Sequence, residues 1–286
     1  AKVCTGSALR SLSFNADLSC FICAFAPNGG RKGGYSVFSA SDFARLACKE
    51  FEFGGFAFAE LFDHTNVVLL VGCHKSPPGF SERLVSFYDD ANSQVVWDVK
   101  LPSPATSIRC KRDLLIASVE NKILVYRIGP DFSSVTYEIS IPTLPNPNGI
   151  CALSNNSSAT QTVIAYPSPL RQGAVGIVIA SRSSAAPPSN ERRPRSATGV
   201  VTSGATLAAE ERCIDSAHRE NIACLALNRD GSLLATASRT GTVIRVWATA
   251  QAESPRLLRE LRRGTTSAAI YHMAFSWMSD LLCCSS

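Results

Sequence analysis

Short apolar runs separated by polar turns recur along the chain. Residues 8–26 read as two β-type segments, Leu-Arg-Ser-Leu-Ser-Phe and Leu-Ser-Cys-Phe-Ile-Cys-Ala, joined by the turn Asn15-Ala16-Asp17. Residues 107–117 repeat the pattern without the extra turn residues, 224–238 repeat it in full, and a further copy runs from 271 to 286. After the fullest copy comes a Gly-Thr turn and a strand ending in an aromatic residue, Arg239-Thr-Gly-Thr-Val-Ile-Arg-Val-Trp247, with Asn121-Lys-Ile-Leu-Val-Tyr126 as a shorter relative. Strand, turn, strand, Gly-Thr turn and strand, repeated at about 40 residues, is the arithmetic of a β-propeller blade. The spacing leaves room for further blades at about residues 56–101 and 148–212. Strands and turns account for nearly the whole sequence, so the predicted class is all-β: a WD-repeat β-propeller of the seven-bladed type, incomplete at about five and a half blades, filling residues 1–286 as one partial propeller.

Two dipeptides test that frame. Trp97-Asp98 imitates the repeat's signature, but Leu84-Val-Ser-Phe-Tyr-Asp-Asp90 already fills the third strand of its blade, which moves Trp97 to an outer strand. Ala217-His218 stands where a blade is often preceded by Gly-His. A structural histidine bonded to neighbouring turns is one reading of His218, and a ligand-facing one is the other.

Composition narrows the classes. With 45% hydrophobic and 18% charged residues the 286-residue chain is globular in character, whereas residues 181–212, rich in Ser, Pro, Arg and Ala, are predicted as a disordered loop insertion. A net charge of +5 is too small to announce a nucleic-acid partner, so any basic function must be local. The sequence shows neither an apolar run of about 18 residues nor a charged region leading into a short apolar one, the patterns of a membrane span and a signal peptide. Eleven cysteines lie mostly inside apolar runs, and their odd number favours reduced thiols in a cytoplasmic setting. Cys20 and Cys23 have CxxC spacing without a second pair at ligand distance, so no metal and no cofactor is predicted. Ser, His and Asp are present, but no nucleophile elbow gathers them, which argues against an enzyme and a small-molecule substrate.

The chemistry that remains is Leu261-Arg262-Arg263-Gly264. Successive side chains of an extended strand point to opposite sides, so two adjacent arginines serve two pockets or none. A guanidinium is always charged and offers a planar fork of donors matched to phosphate oxygens.

With the repeats placed, the sequence resembles the PROPPIN family, WD-repeat β-propellers that bind phosphoinositides in autophagy. The likeness is carried by Leu12-Ser-Phe-Asn-Ala-Asp17, Leu69-Leu-Val-Gly72 with Pro78-Gly-Phe-Ser81, Asn146-Pro-Asn-Gly-Ile-Cys-Ala-Leu153, Ile222-Ala-Cys-Leu-Ala-Leu227 and Leu258-Arg-Glu-Leu-Arg-Arg-Gly264 followed by Ala269-Ile-Tyr271. The resemblance implies a first phosphoinositide site of His218, Arg239, Thr242, Arg245 and Arg262, and a second using Arg263, Ser285 and Ser286. It also places Asn15 and Asp17, otherwise an Asx-type turn, on the edge facing a large lipid-transfer partner. By the same likeness the family continues past Ser285-Ser286 with an Asp-Lys-Gly-Thr turn, a membrane-inserting loop and a seventh blade. The expectation is therefore a C-terminally truncated propeller with its second pocket incomplete, marginal or aggregation-prone in isolation. The implied function is an effector that recognises phosphatidylinositol 3-phosphate or phosphatidylinositol 3,5-bisphosphate and recruits autophagy lipid-transfer or scaffold proteins, cytoplasmic and peripheral on pre-autophagosomal or endosomal membranes. The competing reading is a WD-repeat protein scaffold whose lipid binding was lost with blades six and seven.

Overall fold

A computed structural model describes residues 8–30, 32–129, 132, 134–156, 161–182, 201–202, 207–249 and 254–286. Two compact units divide the chain, Ala1–Glu120 with Tyr126–Thr136, and Asn121–Val125 with Tyr137–Ser286.

In the first unit, β1 (Ala8–Phe14), β2 (Cys20–Ala26), β3 (Gly33–Ser39) and β4 (Arg45–Phe51) pair in sequence order as an antiparallel sheet. A second such sheet follows with β5 (Phe56–Leu61), β6 (Val67–Gly72), β7 (Leu84–Asp89) and β8 (Gln94–Lys100). The hairpin of β9 (Ser107–Lys111) and β10 (Leu114–Val119) begins the next repeat, in register from Leu114↔Lys111 to Ser118↔Ser107. Residues of β11 (Lys122–Ile128) and β12 (Val135–Pro142) are shared between the units.

In the second unit, β13 (Ala152–Leu153), β14 (Gln161–Pro167), β15 (Val175–Arg182) and β17 (Leu207–Ile214) form one sheet, while β16 (Val201–Thr202) pairs with β12 through Ile139↔Thr202 and Ser140↔Val201. The next sheet is β18 (Ile222–Leu227), β19 (Leu233–Ser238), β20 (Val243–Ala248) and β21 (Arg256–Arg262), and β22 (His272–Phe275) with β23 (Leu282–Ser285) makes a two-stranded one.

Burial within a sheet follows the sequence pattern. The continuous apolar runs of β6 and β10 are buried along their whole length, as strands covered on both faces must be. The fourth strands β4, β8 and β21 are largely exposed, and Trp97 on β8 keeps 38% of its surface, the outer position its sequence context predicts. Apolar clusters fill the space between neighbouring sheets of each unit. Ile22, Tyr35, Phe56, Val68 and Leu70 do so in the first, and Val163, Ile177, Ile214, Leu225 and Trp247 in the second. Cys20 and Cys23 both lie on β2, where an odd separation directs them to opposite faces.

One boundary differs from the sequence expectation. Both ends of the 181–212 stretch are strand: β15 runs to Arg182, and β17 pairs with it residue for residue from Val175↔Ile214 to Arg182↔Leu207. An outer strand needs no continuous apolar run, so Leu207-Ala-Ala-Glu-Glu-Arg-Cys-Ile214 completes an eight-residue ladder despite its polar composition. The rest of the predicted insertion, 183–200 and 203–206, lies outside the described residues.

Candidate functional site

The basic residues converge where β19, β20 and β21 end. The turn Arg239-Thr240-Gly241-Thr242 links β19 to β20, and Gly241 takes φ +63° there, with its N–H donating to Ser238 O at 3.0 Å. Any Cβ at this position would collide with the carbonyl oxygen of Ala268. The glycine therefore admits a close backbone approach, as its Gly-Thr setting suggests, but the approaching group is the chain's own 264–268 loop. That loop is tied down by Ala268 N–H to Thr240 O at 3.2 Å and Ser267 Oγ to the same carbonyl at 3.1 Å.

Strand register sorts the arginines by face. Val243 stands opposite Arg262 and Arg245 opposite Glu260, so Arg245 and Arg262 share one face as diagonal neighbours. Arg245 donates from Nε to Glu260 Oε2 at 2.8 Å and from Nη1 to Ala217 O at 2.6 Å. Its guanidinium is thus neutralised by a carboxylate that the sequence expectation left out, since only the register reveals a partner 15 residues away. Arg262 and Arg239 are exposed, and neither side chain makes a hydrogen bond or ion pair among the described residues.

Arg263 turns the other way. Its N–H donates to Thr242 O at 2.9 Å, which sets Thr242 across from Arg263 rather than with Arg262. The guanidinium donates to Gly241 O at 2.7 Å from Nε, to Thr266 O at 2.6 Å from Nη2, and to Ser286 Oγ at 3.4 Å from Nη1. Its partners there are two carbonyls and a hydroxyl, none of which neutralises the charge. Ser285 is exposed at the end of β23, its carbonyl accepting from Tyr271 N–H at 2.9 Å. The adjacent arginines thus occupy opposite sides of one strand end, and the second reaches the serine that the resemblance pairs with it.

His218 is placed differently. It is 6% exposed, and its Nε2 lies 2.9 Å from Thr236 Oγ1, a fully buried hydroxyl that also accepts Trp247 Nε1–H at 3.1 Å. The arrangement that uses all three capacities of the hydroxyl has Nε2–H donating and Thr236 donating onward to Arg245 O at 3.4 Å. Burial, reinforced by the Arg245 charge, holds the imidazole pKa down at about 4, so His218 is neutral near pH 7. Its geometry is that of a structural histidine fastening β19 and β20 to the segment before β18, the first of the two readings its sequence allows.

In the first unit, Asn15 and Asp17 are spent on their own turn. Asn15 is 4% exposed; its Oδ1 accepts from Cys20 N–H and its Nδ2 donates to Ser19 Oγ, both at 3.0 Å. Asp17 Oδ1 accepts from Ser19 N–H at 3.0 Å and Ser19 Oγ at 2.7 Å, and its Oδ2 lies 3.4 Å from His64 Nε2. The same bonds recur in the second unit with Asn228, Asp230, Ser232 and Leu233 in the corresponding positions. A pattern repeated in two blades is accounted for by the fold of the blade.

Three comparisons place this geometry among known proteins. The PROPPIN family model matches residues 193–286, which contain the whole arginine site. Autophagy-related protein 18 of Yarrowia lipolytica is 30% identical over 282 residues, covering 97% of this chain. The chain spans 64% of that relative's length. Among solved structures, Kluyveromyces lactis Hsv2 aligns with a TM-score of 0.69 at 20% identity over 97% of this chain and 71% of its own. KlAtg21, solved with the coiled coil of AgAtg16, aligns at 0.71 and 21% over 98% and 78%. The structural likenesses establish the fold as that of a β-propeller. With the family match over the arginine site and a relative similar along nearly the whole chain, these likenesses support the PROPPIN family of β-propellers as the chain's relatives.

Proposed function

We propose that this propeller is a non-enzymatic autophagy effector that docks on membranes by binding inositol lipids phosphorylated at the 3-position, phosphatidylinositol 3-phosphate or phosphatidylinositol 3,5-bisphosphate. The observation that carries the reading is the strand end itself: Arg262 exposed without a partner among the described residues, and Arg263 on the opposite side bound only to neutral oxygens. Arg239 and Arg262, with Arg245 alongside, supply the cationic forks for one headgroup, and Arg263 with Ser285 and Ser286 supplies those for a second. His218 serves the first site by fixing Thr236 and the strand that bears Arg245. Two weak sites on one membrane act together through effective concentration. The relatives support an autophagy role; to this the reading adds a cytoplasmic protein, peripheral to pre-autophagosomal or endosomal membranes, that recruits a lipid-transfer or scaffold protein. The coiled coil seen with KlAtg21 offers one chemistry for such a partner.

Flotation with vesicles tests this. Vesicles containing phosphatidylinositol 3-phosphate should carry the protein upward, those with unphosphorylated phosphatidylinositol should not, and Arg262→Ala plus Arg263→Ala should abolish the difference. No binding to either vesicle, or binding unchanged in the double variant, would instead favour a propeller that assembles proteins only.

A further inference from the structure

The loop that follows the arginine pair reads Gly264-Thr265-Thr266-Ser267 and carries three consecutive hydroxyl residues, all exposed. Space around Gly264 is open, with nothing within 4 Å of where a Cβ would stand. The Ser267 hydroxyl is engaged with Thr240 O at 3.1 Å. Thr265 and Thr266 have no side-chain hydrogen bond among the described residues. The carbonyl of Thr266 lies 2.6 Å from Arg263 Nη2, so the threonine pair sits beside a guanidinium that holds no carboxylate among the described residues.

We propose that Thr265 is a phosphorylation site whose phosphate occupies the Arg263 site from within and displaces membrane lipid. Two arginines, three and two residues before a hydroxyl on an exposed loop, offer the paired positive charges that a protein kinase with an acidic peptide groove recognises. Thr265 Oγ1 attacks the γ-phosphorus of ATP, the bond to the β-phosphate oxygen breaks, ADP departs and the hydroxyl proton passes to the kinase's carboxylate base. The product carries a charge of about −1.5 to −2 and three acceptor oxygens on the loop that Arg263 already holds. A bidentate guanidinium–phosphate pair replaces the carbonyl contacts of Arg263, and the added charge opposes a second anion at Arg262. The switch in membrane binding rests on the lipid reading above; the site itself does not.

The full chain is treated with ATP and the cyclic-AMP-dependent protein kinase as probe, and the product mapped by mass spectrometry. Phosphate should appear on Thr265 and be lost in Thr265→Ala but not in Thr266→Ala. No incorporation, or incorporation elsewhere, overturns the site. A phosphorus NMR titration should then place the second phosphate pKa at least half a unit below that of the same phosphopeptide free in solution, with Arg263→Ala, or Arg263→Gln if the alanine variant fails to fold, recovering most of the difference. An unshifted titration overturns the internal pairing without reference to any lipid. Finally, phosphorylation should weaken flotation on phosphatidylinositol 3-phosphate vesicles about tenfold, while unphosphorylated Thr265→Ala floats as the unmodified protein does. Equal flotation of the two forms overturns the switch. If the unmodified protein fails to float, the lipid reading falls, and mapping and titration still decide the phosphorylation site.

Discussion

Arg263 donates from Nε to the carbonyl of Gly241 at 2.7 Å, so the second arginine of the pair fastens the turn between β19 and β20 as well as carrying charge. Arg262, one residue earlier, makes no such bond among the described residues. Arg263→Ala should therefore lower unfolding free energy by about 1.5–3 kcal/mol, the range for hydrogen bonds to a charged group. Arg262→Ala should stay within about 0.5 kcal/mol of the parent, as a surface substitution. Urea unfolding of the two single variants checks the contrast, and equal losses would contradict it. The same measurement tells whether a flotation defect in the double variant reflects a missing ligand or a loosened loop.

Much of the blade pattern is legible in the sequence. The two β-type segments within 8–26 and the apolar run within 107–117 predicted strand pairs that the structure has as β1–β2 and β9–β10, and the alternation rule predicted that Arg262 and Arg263 face apart. Partnerships that depend on register were not legible. Glu260 lies inside the very stretch that signals the site, yet its pairing with Arg245 follows only once β20 and β21 are aligned. His218 was ambiguous for a related reason: its burial depends on Thr236 and Trp247, 18 and 29 positions along, closing over it. The polar strand β17 was masked by its composition, because an outer strand is specified by its neighbour's ladder more than by its own apolar residues.

The buried His218 fixes the sign of a pH effect in the second unit. Its folded pKa of about 4 lies below the unfolded value of about 6.5, so between those values the unfolded chain binds more protons. Stability of that unit should fall as pH drops from about 6.5 toward 4, and be unaffected by this group above it. Hydrogen exchange of β18–β20 amides at pH 7 and pH 5 reads the loss. His218→Gln, which cannot gain the charge, should flatten the dependence.

Glu60 imposes the opposite sign on the first unit. It is 5% exposed on β5, and burial pushes its pKa up to about 7 even though Arg109 Nη1 lies 3.1 Å from Oε1. The Arg109 side chain is 44% exposed and solvated, so its attraction only partly offsets the desolvation of the carboxylate. The folded state here binds more protons than the unfolded one between about 4.5 and 7, and stability should decrease as pH rises through that window. Glu60→Gln should remove this slope and leave the His218 slope in place. Exchange of β5–β6 amides followed against β18–β20 separates the two, and parallel trends in both units would refute the assignment.

The repeated Asn-x-Asp-x-Ser turn makes a graded prediction about what each residue contributes. Asn228 is 3% exposed; its Oδ1 accepts from Leu233 N–H at 2.9 Å, and its Nδ2 donates to Ser232 Oγ at 3.1 Å and to Ser279 Oγ at 3.0 Å. Alanine there removes the acceptor of the Leu233 N–H, so Asn228→Ala should cost about 1–3 kcal/mol. Asp230, whose bonds to Ser232 are solvent-exposed, should cost about 0.5–1.5 kcal/mol when replaced by alanine. Asn15→Ala and Asp17→Ala should reproduce that order in the first unit, because the acceptor and donor atoms are the same. Denaturant midpoints for the four variants decide it. If Asn15→Ala instead left stability untouched while weakening capture of an autophagy partner, the turn would be an interaction site after all, and the correspondence between the two blades would be coincidental.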